Sequence, residues 1–153
     1  MSDFKLKLGS EAEMIPGFLL WQVSKLWQRH LTRALEDLKL PSTQAVILAN
    51  VLRFTKEGRP VTQAMLSQAA KVDRMTASQS LRSLELKRYV TRKESPGDKR
   101  ANRVSLTTEG RRVALKAIKR FAATHKAFFE PLAGETEAVV GYMQELIRAN
   151  ELV

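Results

Sequence analysis

The chain has 153 residues, enough for one domain with a real core and too few for a comfortable pair of independent ones; 44% hydrophobic and 27% charged residues are ordinary globular values and argue against disorder. Its 26 Lys and Arg against 16 Asp and Glu leave a formal net charge of +10, a surplus that points to a polyanionic partner, with nucleic acid ahead of an anionic membrane. The absence of cysteine excludes disulfides, thiolate metal sites and cysteine-based peroxide sensing, no apolar run approaches the roughly 20 residues of a membrane span, and the opening MSDFKLKLGSEAEM lacks the apolar core of a secretory signal, so a cytoplasmic protein without membrane attachment is expected.

The two histidines, His30 and His125, stand far apart without a local ligand partner, which favours helix residues over metal ligands. There is no phosphate-cradling Gly-rich loop, no HExxH pair and no GxSxG elbow. A binding protein without metal, cofactor or catalytic residues is therefore expected, rather than an enzyme.

Over residues 14–38, Leu20, Val23, Trp27, Leu31, Ala34 and Leu38 recur at helical spacing and predict one long amphipathic helix. Phe18, Leu19, Trp21 and Leu26 add apolar surface beyond a single stripe, and some of it should meet another subunit or a ligand. Leu40-Pro41-Ser42 ends that helix, with Ser42 or Thr43 available to cap the next. From there to Phe54 the sequence is apolar nearly all round, which predicts a central helix.

After the Gly58-Arg59-Pro60 loop, Val61 is expected to pair as a very short strand, and Thr62 to cap a helix with Met65, Leu66 and Ala69 inward. Lys71-Val72-Asp73 makes a turn in which Val72 should be buried and Asp73 should cap the following helix, its carboxylate suiting the positive end of the helix dipole. In that second helix Met75, Leu81 and Leu84 are expected inside. Arg74, Thr76, Ser78, Gln79 and Arg82 remain outside, a short, polar and cationic face.

Residues 89–93 and 103–106 alternate as strands do, and Ser95-Pro96-Gly97-Asp98 between them is turn chemistry, so a projecting hairpin is predicted. Between positions 71 and 103 there are 10 Lys or Arg against 4 Asp or Glu, more than half the net charge of the chain and the clustering expected of a nucleic-acid footprint. Helix, turn, helix and hairpin in this order form a winged helix-turn-helix. Arg74 can reach a phosphate or a guanine edge, Gln79 an adenine edge, and Thr76 and Ser78 are short enough for close approach. Arg100 at the tip suits a narrow minor groove, and Lys99 and Arg103 suit phosphates.

Thr107 is expected to cap the next helix, with Gly110 a blemish in its first turn, Val113, Ala117, Ile118, Phe121 and Ala122 inward, and Arg112, Lys116, Lys119 and Arg120 outward. Pro131 and Gly134 break it, and a last helix over residues 135–150 carries Val139, Tyr142, Met143, Leu146 and Ile147 as its stripe. The segment from Glu130 onward is net acidic.

The wing sequence Asp98-Lys99-Arg100 followed by Val104-Ser105-Leu106-Thr107-Thr108-Glu109-Gly110-Arg111 resembles the DxR…VxLTxxG signature of the multiple-antibiotic-resistance regulator (MarR) family, and the resemblance extends over residues 14–150. It implies a mainly α fold with a small β-wing, in which 1–40 supplies the N-terminal helix of a dimerisation stalk, 41–110 the winged helix-turn-helix and 111–153 the C-terminal stalk helices. It further implies a homodimer on pseudo-palindromic duplex DNA, with the helix over 73–87 in the major groove, Arg100 in the minor groove and Asp98 holding Arg100 by an ion pair. The family's small aromatic or anionic ligands would sit between stalk and winged helix, where Trp27, Arg29, His30 and Phe54 lie on framing segments. Two positions depart from the family pattern: Arg88 stands where many members have Gly after the reading helix, and Arg82-Ser83 where an acidic-basic pair is common.

The expected function is thus a dimeric, sequence-specific transcriptional regulator, a repressor released by a small molecule. The alternatives are a DNA-compacting protein that uses the same basic surface without reading bases, and an interaction module whose basic face meets acidic protein or membrane.

Overall fold

The computed structural model describes residues 15–95 and 98–151, with only the backbone described for the strand residues between 94 and 102. Its helices are α1 (Pro16–Ala34), α2 (Ser42–Lys56), α3 (Gln63–Ala70), α4 (Arg74–Leu86), α5 (Thr108–Phe129) and α6 (Thr136–Asn150), with a hairpin of β1 (Val90–Ser95) and β2 (Asp98–Leu106) between α4 and α5. The described residues are mainly helical with one small antiparallel sheet, a winged helix-turn-helix carried on longer helices.

The core lies under α2. Ala45, Ile47, Leu48, Val51, Leu52 and Phe54 are all buried there, and Leu66 from α3, Leu81 and Leu84 from α4, Val90 and Val104 from the hairpin and Val113, Ala114 and Ala117 from α5 close around them. A helix apolar on every side has to sit among partners, and α2 does. It starts without a side-chain cap: Pro41 holds the capping position, and Ser42 is already the first helical residue. The cap expected of Ser42 or Thr43 is therefore absent, because the capping position falls on proline, which has no side-chain oxygen to accept from the helix amides.

The helix expected over 14–38 is divided. α1 stops at Ala34, a single 3-10 turn follows over Glu36–Leu38, and Lys39 adopts a left-handed conformation with φ 49°. The break lets Leu35 drop fully into the core. Within α1 only Leu31 is buried; Leu20 and Val23 of the expected inner stripe are exposed. Likewise α5 buries Val113, Ala114 and Ala117 in its first half, whereas Ile118 and Ala122 further along remain exposed.

Three expected caps form. The side chains of Thr62, Asp73 and Thr107 accept from the backbone amides of Met65, Thr76 and Gly110, each satisfying a donor that the helix start leaves free. Val61 contributes less than a strand: its carbonyl accepts from Val104 N at 2.8 Å, and Thr62 bridges Arg103. Val72 is half-buried rather than buried.

Gly110 is a requirement of the packing, not a blemish. A Cβ at this position would sit inside the backbone carbonyl of Tyr89, which also accepts from Thr107 N at 3.0 Å. The start of α5 thereby seats directly on the turn between α4 and β1.

Candidate nucleic-acid interface

The presented surface is built on α4. The 100° advance per residue and the burial of Ala77, Ser80, Leu81 and Leu84 set its phase, so that Met75, Gln79 and Arg82 point away from the core with Arg74 on the flank. Met75 was expected inside and is instead 71% exposed. The reason is phase: nine residues separate it from Leu84, about 180° round the helix, and Ala77 takes the inner position of that turn.

Asp73 organises the first turn. One carboxylate oxygen accepts from Thr76 N at 2.8 Å and the other from the Thr76 hydroxyl at 2.6 Å. These bonds, the side-chain one first, hold the carboxyl below its ordinary range. The Thr76 hydroxyl thus faces its own cap. Thr76 and Ser78 are half-buried, whereas Arg74, Gln79 and Arg82 are exposed.

Polar side chains tie α4 to its neighbours at its far end. Gln44 of α2 donates to the Ser83 hydroxyl at 3.0 Å, and its carbonyl oxygen accepts from Lys87 Nζ at 3.0 Å; Lys87 Nζ also reaches the Lys39 carbonyl at 3.0 Å. Glu85 accepts from Arg92 Nε at 3.0 Å and from its Nη2 at 2.6 Å, which fixes the helix against β1. None of these links was foreseen from the sequence, since their partners lie on different elements. Arg88 follows with φ 59°, the left-handed conformation that glycine favours. Its carbonyl accepts from the Thr107 hydroxyl at 2.7 Å.

The hairpin runs antiparallel from Val90 opposite Leu106 to Lys93 opposite Arg103, with an irregularity at Glu94/Ser95. Arg103 is exposed. Asp98, Lys99 and Arg100 belong to β2 by backbone; their side chains, and with them the expected Asp98–Arg100 pair, lie outside the described residues.

The four residues expected to frame a ligand do not converge. Trp27 is half-buried, in edge contact with Phe128 at 5.2 Å between ring centres. It lines a cavity of about 370 Å³ with Leu20, Val23, Phe128, Val139 and Met143, and also a more open hollow of about 510 Å³ with Leu31, Val46, Ile118 and Phe121. His125 lines both, and among the described residues no Lys or Arg lines either. Arg29 and His30 are exposed and border neither, and Phe54 is buried in the core beneath the guanidinium groups of Arg53 and Arg59.

Among the described residues no cluster of three or more His, Cys, Asp or Glu is placed to hold a metal ion, and no helix is long and apolar enough to cross a membrane.

Comparison with known proteins converges on one family. The family model described as MarR family matches residues 38–101. An uncharacterized HTH-type transcriptional regulator, YdcH, of Bacillus subtilis (strain 168) is 34% identical over 133 residues, covering 87% of this chain and 90% of that protein. Among solved structures, an S. aureus MepR-DNA complex superposes with a TM-score of 0.79 at 20% identity, covering 88% of this chain and 98% of the other. Bordetella bronchiseptica BpsR, in a structure concerned with regulation of its DNA binding by 6-hydroxynicotinic acid, superposes with a TM-score of 0.78 at 19% identity, covering 88% and 94%.

Proposed function

The chain belongs to the MarR family of transcriptional regulators, and from that premise we propose that it acts as a homodimer reading a pseudo-palindromic duplex operator. The observation that carries the proposal is the outward face of α4: Gln79 and Arg82 exposed, Arg74 on the flank, and the helix start held by Asp73. In this reading α4 enters the major groove, where Gln79 and Arg74 face base edges, and Arg82 and Arg103 neutralise phosphates. The wing lies over the adjacent minor groove, with Lys99 on a phosphate and Arg100 inserted and held by Asp98.

Dimerisation is supported by the exposed apolar side chains of α1 and α6, including Leu20, Trp21, Leu26, Tyr142, Leu146 and Ile147. They are too many for one solvated surface. A two-fold pairing of residues 1–40 and 111–153 would cover them and set two copies of the lobe formed by residues 41–110 about one helical turn apart on DNA.

The regulator works as a cytoplasmic repressor, released when a small molecule binds beside Trp27. An aromatic ring with at most one acidic group suits that site better than a polyanion, because among the described residues His125 is the lone ionisable side chain lining either cavity. Release requires the ligand to bind the DNA-incompetent spacing of the lobes better than the competent one.

Selection from randomised duplexes, followed by affinity for the best sequence against a scrambled one at near-physiological salt, tests the reading. A pseudo-palindrome with a large specificity ratio is expected. Equal binding to every duplex with steep salt dependence would instead make the protein a compacting one, and no duplex binding at all would leave only an acidic protein or membrane as partner. The release step predicts that an effective aromatic acid raises the melting temperature and lowers operator affinity together.

A further inference from the structure

Across residues 42–107 the described large apolar side chains are buried or half-buried with two exceptions, Met75 at 71% exposed and Leu86 at 86%. Both belong to α4, and both fall on the outward line with Gln79 and Arg82. Neither fills the core. An exposed apolar side chain gains free energy where a partner buries it, and these two stand on the face that the proposed function turns toward DNA.

The two positions differ in what they can reach. Met75 is in the first turn of α4, next to Arg74 and one turn before Gln79, and residues near the N-terminus of a reading helix are the ones that meet base edges. Leu86 lies eleven residues further on, about 16 Å along the axis at 1.5 Å per residue, more than the roughly 12 Å width of the major groove. The backbone of Met75 is held by the paired bonds of Thr76 to Asp73, while its unbranched side chain can adapt at the tip. The apolar group that a B-form major groove offers at its base edges is the thymine 5-methyl.

We propose that Met75 is a specificity-determining residue that reads the methyl group of one thymine in each half-site. The assignment rests on the reading of α4 as the groove-entering helix. It adds a preference that neither Gln79 nor the arginines supply, since hydrogen-bonding side chains recognise the polar edge of a base pair and not its methyl.

The test replaces each thymine of the selected operator in turn by deoxyuridine, which removes the methyl and leaves every hydrogen-bonding group in place. For the wild-type chain, one position per half-site loses about fourfold in affinity, the equivalent of one methyl-sized apolar contact. Met75→Ala binds the thymine and uracil operators alike at that position, and Leu86→Ala keeps the wild-type discrimination. Helical circular dichroism of Met75→Ala should match the wild type, since the side chain supports no packing. If uracil weakens wild-type binding nowhere, or if Met75→Ala still discriminates, the assignment of Met75 is overturned while the regulator reading stands. If the wild-type chain selects no sequence at all, both fall together.

Discussion

Helices α2 and α6 are each 15 residues long and carry eight hydrophobic residues apiece, yet α2 buries six of its residues and α6 buries none. The difference lies in what surrounds them. α2 is enclosed by α3, α4, α5 and the hairpin, so the chain itself supplies every partner. α6 faces α1 and the end of α5 around the cavity beside Trp27, and Tyr142, Leu146 and Ile147 of its stripe are exposed. One part of the molecule finishes its core within the chain; the other leaves apolar side chains exposed, which the proposed second copy would cover.

That contrast can be broken most forcefully in the winged-helix lobe. Leu81→Ala removes a fully buried side chain from α4 and is expected to lower stability by about 4 kcal/mol in urea unfolding; a loss under about 1 kcal/mol would mean that the lobe's core is looser than its burial indicates. Gly110→Ala forces a methyl into the Tyr89 carbonyl and should cost about 3 kcal/mol, with α5 lifting from the turn before β1. Its protection in amide exchange near Thr107 should fall at the same time.

On α6 the expected readout, under the proposed dimer, changes from stability to association. Leu146→Asp, at a position 56% exposed within the chain, should weaken self-association about a hundredfold, near 2.7 kcal/mol, as seen by sedimentation equilibrium. Leu81→Ala should leave association in the same experiment unaltered wherever the chain stays folded. Should Leu146→Asp associate as the wild type does, α6 is not the interface and the contrast between the two halves needs another explanation.

The smallest effect sharpens the boundary of the lobe. Arg88→Gly relieves a left-handed non-glycine residue and is expected to add about 0.5 kcal/mol of stability. If the exposed guanidinium also meets a phosphate, DNA affinity falls and its salt dependence becomes shallower. A stability gain without any loss of affinity would assign Arg88 to the helix end alone.

Much of the lobe was readable in order. Thr62, Asp73 and Thr107 were identified as caps because each acts on an amide only three residues ahead, and the hairpin was identified by alternation around Ser95-Pro96-Gly97-Asp98. Arg74, Gln79 and Arg82 were placed on the outside by the period of α4. Met75 was misplaced for the complementary reason: hydrophobicity says that a side chain prefers burial, but the helix's phase, fixed by Leu81 and Leu84, says which side chains obtain it. The proposed ligand site was the least legible part, for Trp27 shares its cavity with Phe128, Val139 and Met143, more than 100 residues away in sequence, while Phe54 turns into the core.

The element order, the three caps, the turn between the two helices, the cationic cluster and the family signature are legible in the sequence alone, because all of them depend on neighbours within a few residues or on charge counted along the chain. It takes the folded chain to show that Leu35 rather than Leu38 closes the core, that Gly110 is needed for contact with Tyr89, that Gln44 and Arg92 anchor the end of α4, and that the stripes of α1 and α6 stay exposed. Burial depends on which surfaces meet across long stretches of chain, and the same apolar spacing is found on a buried helix face and on an exposed one.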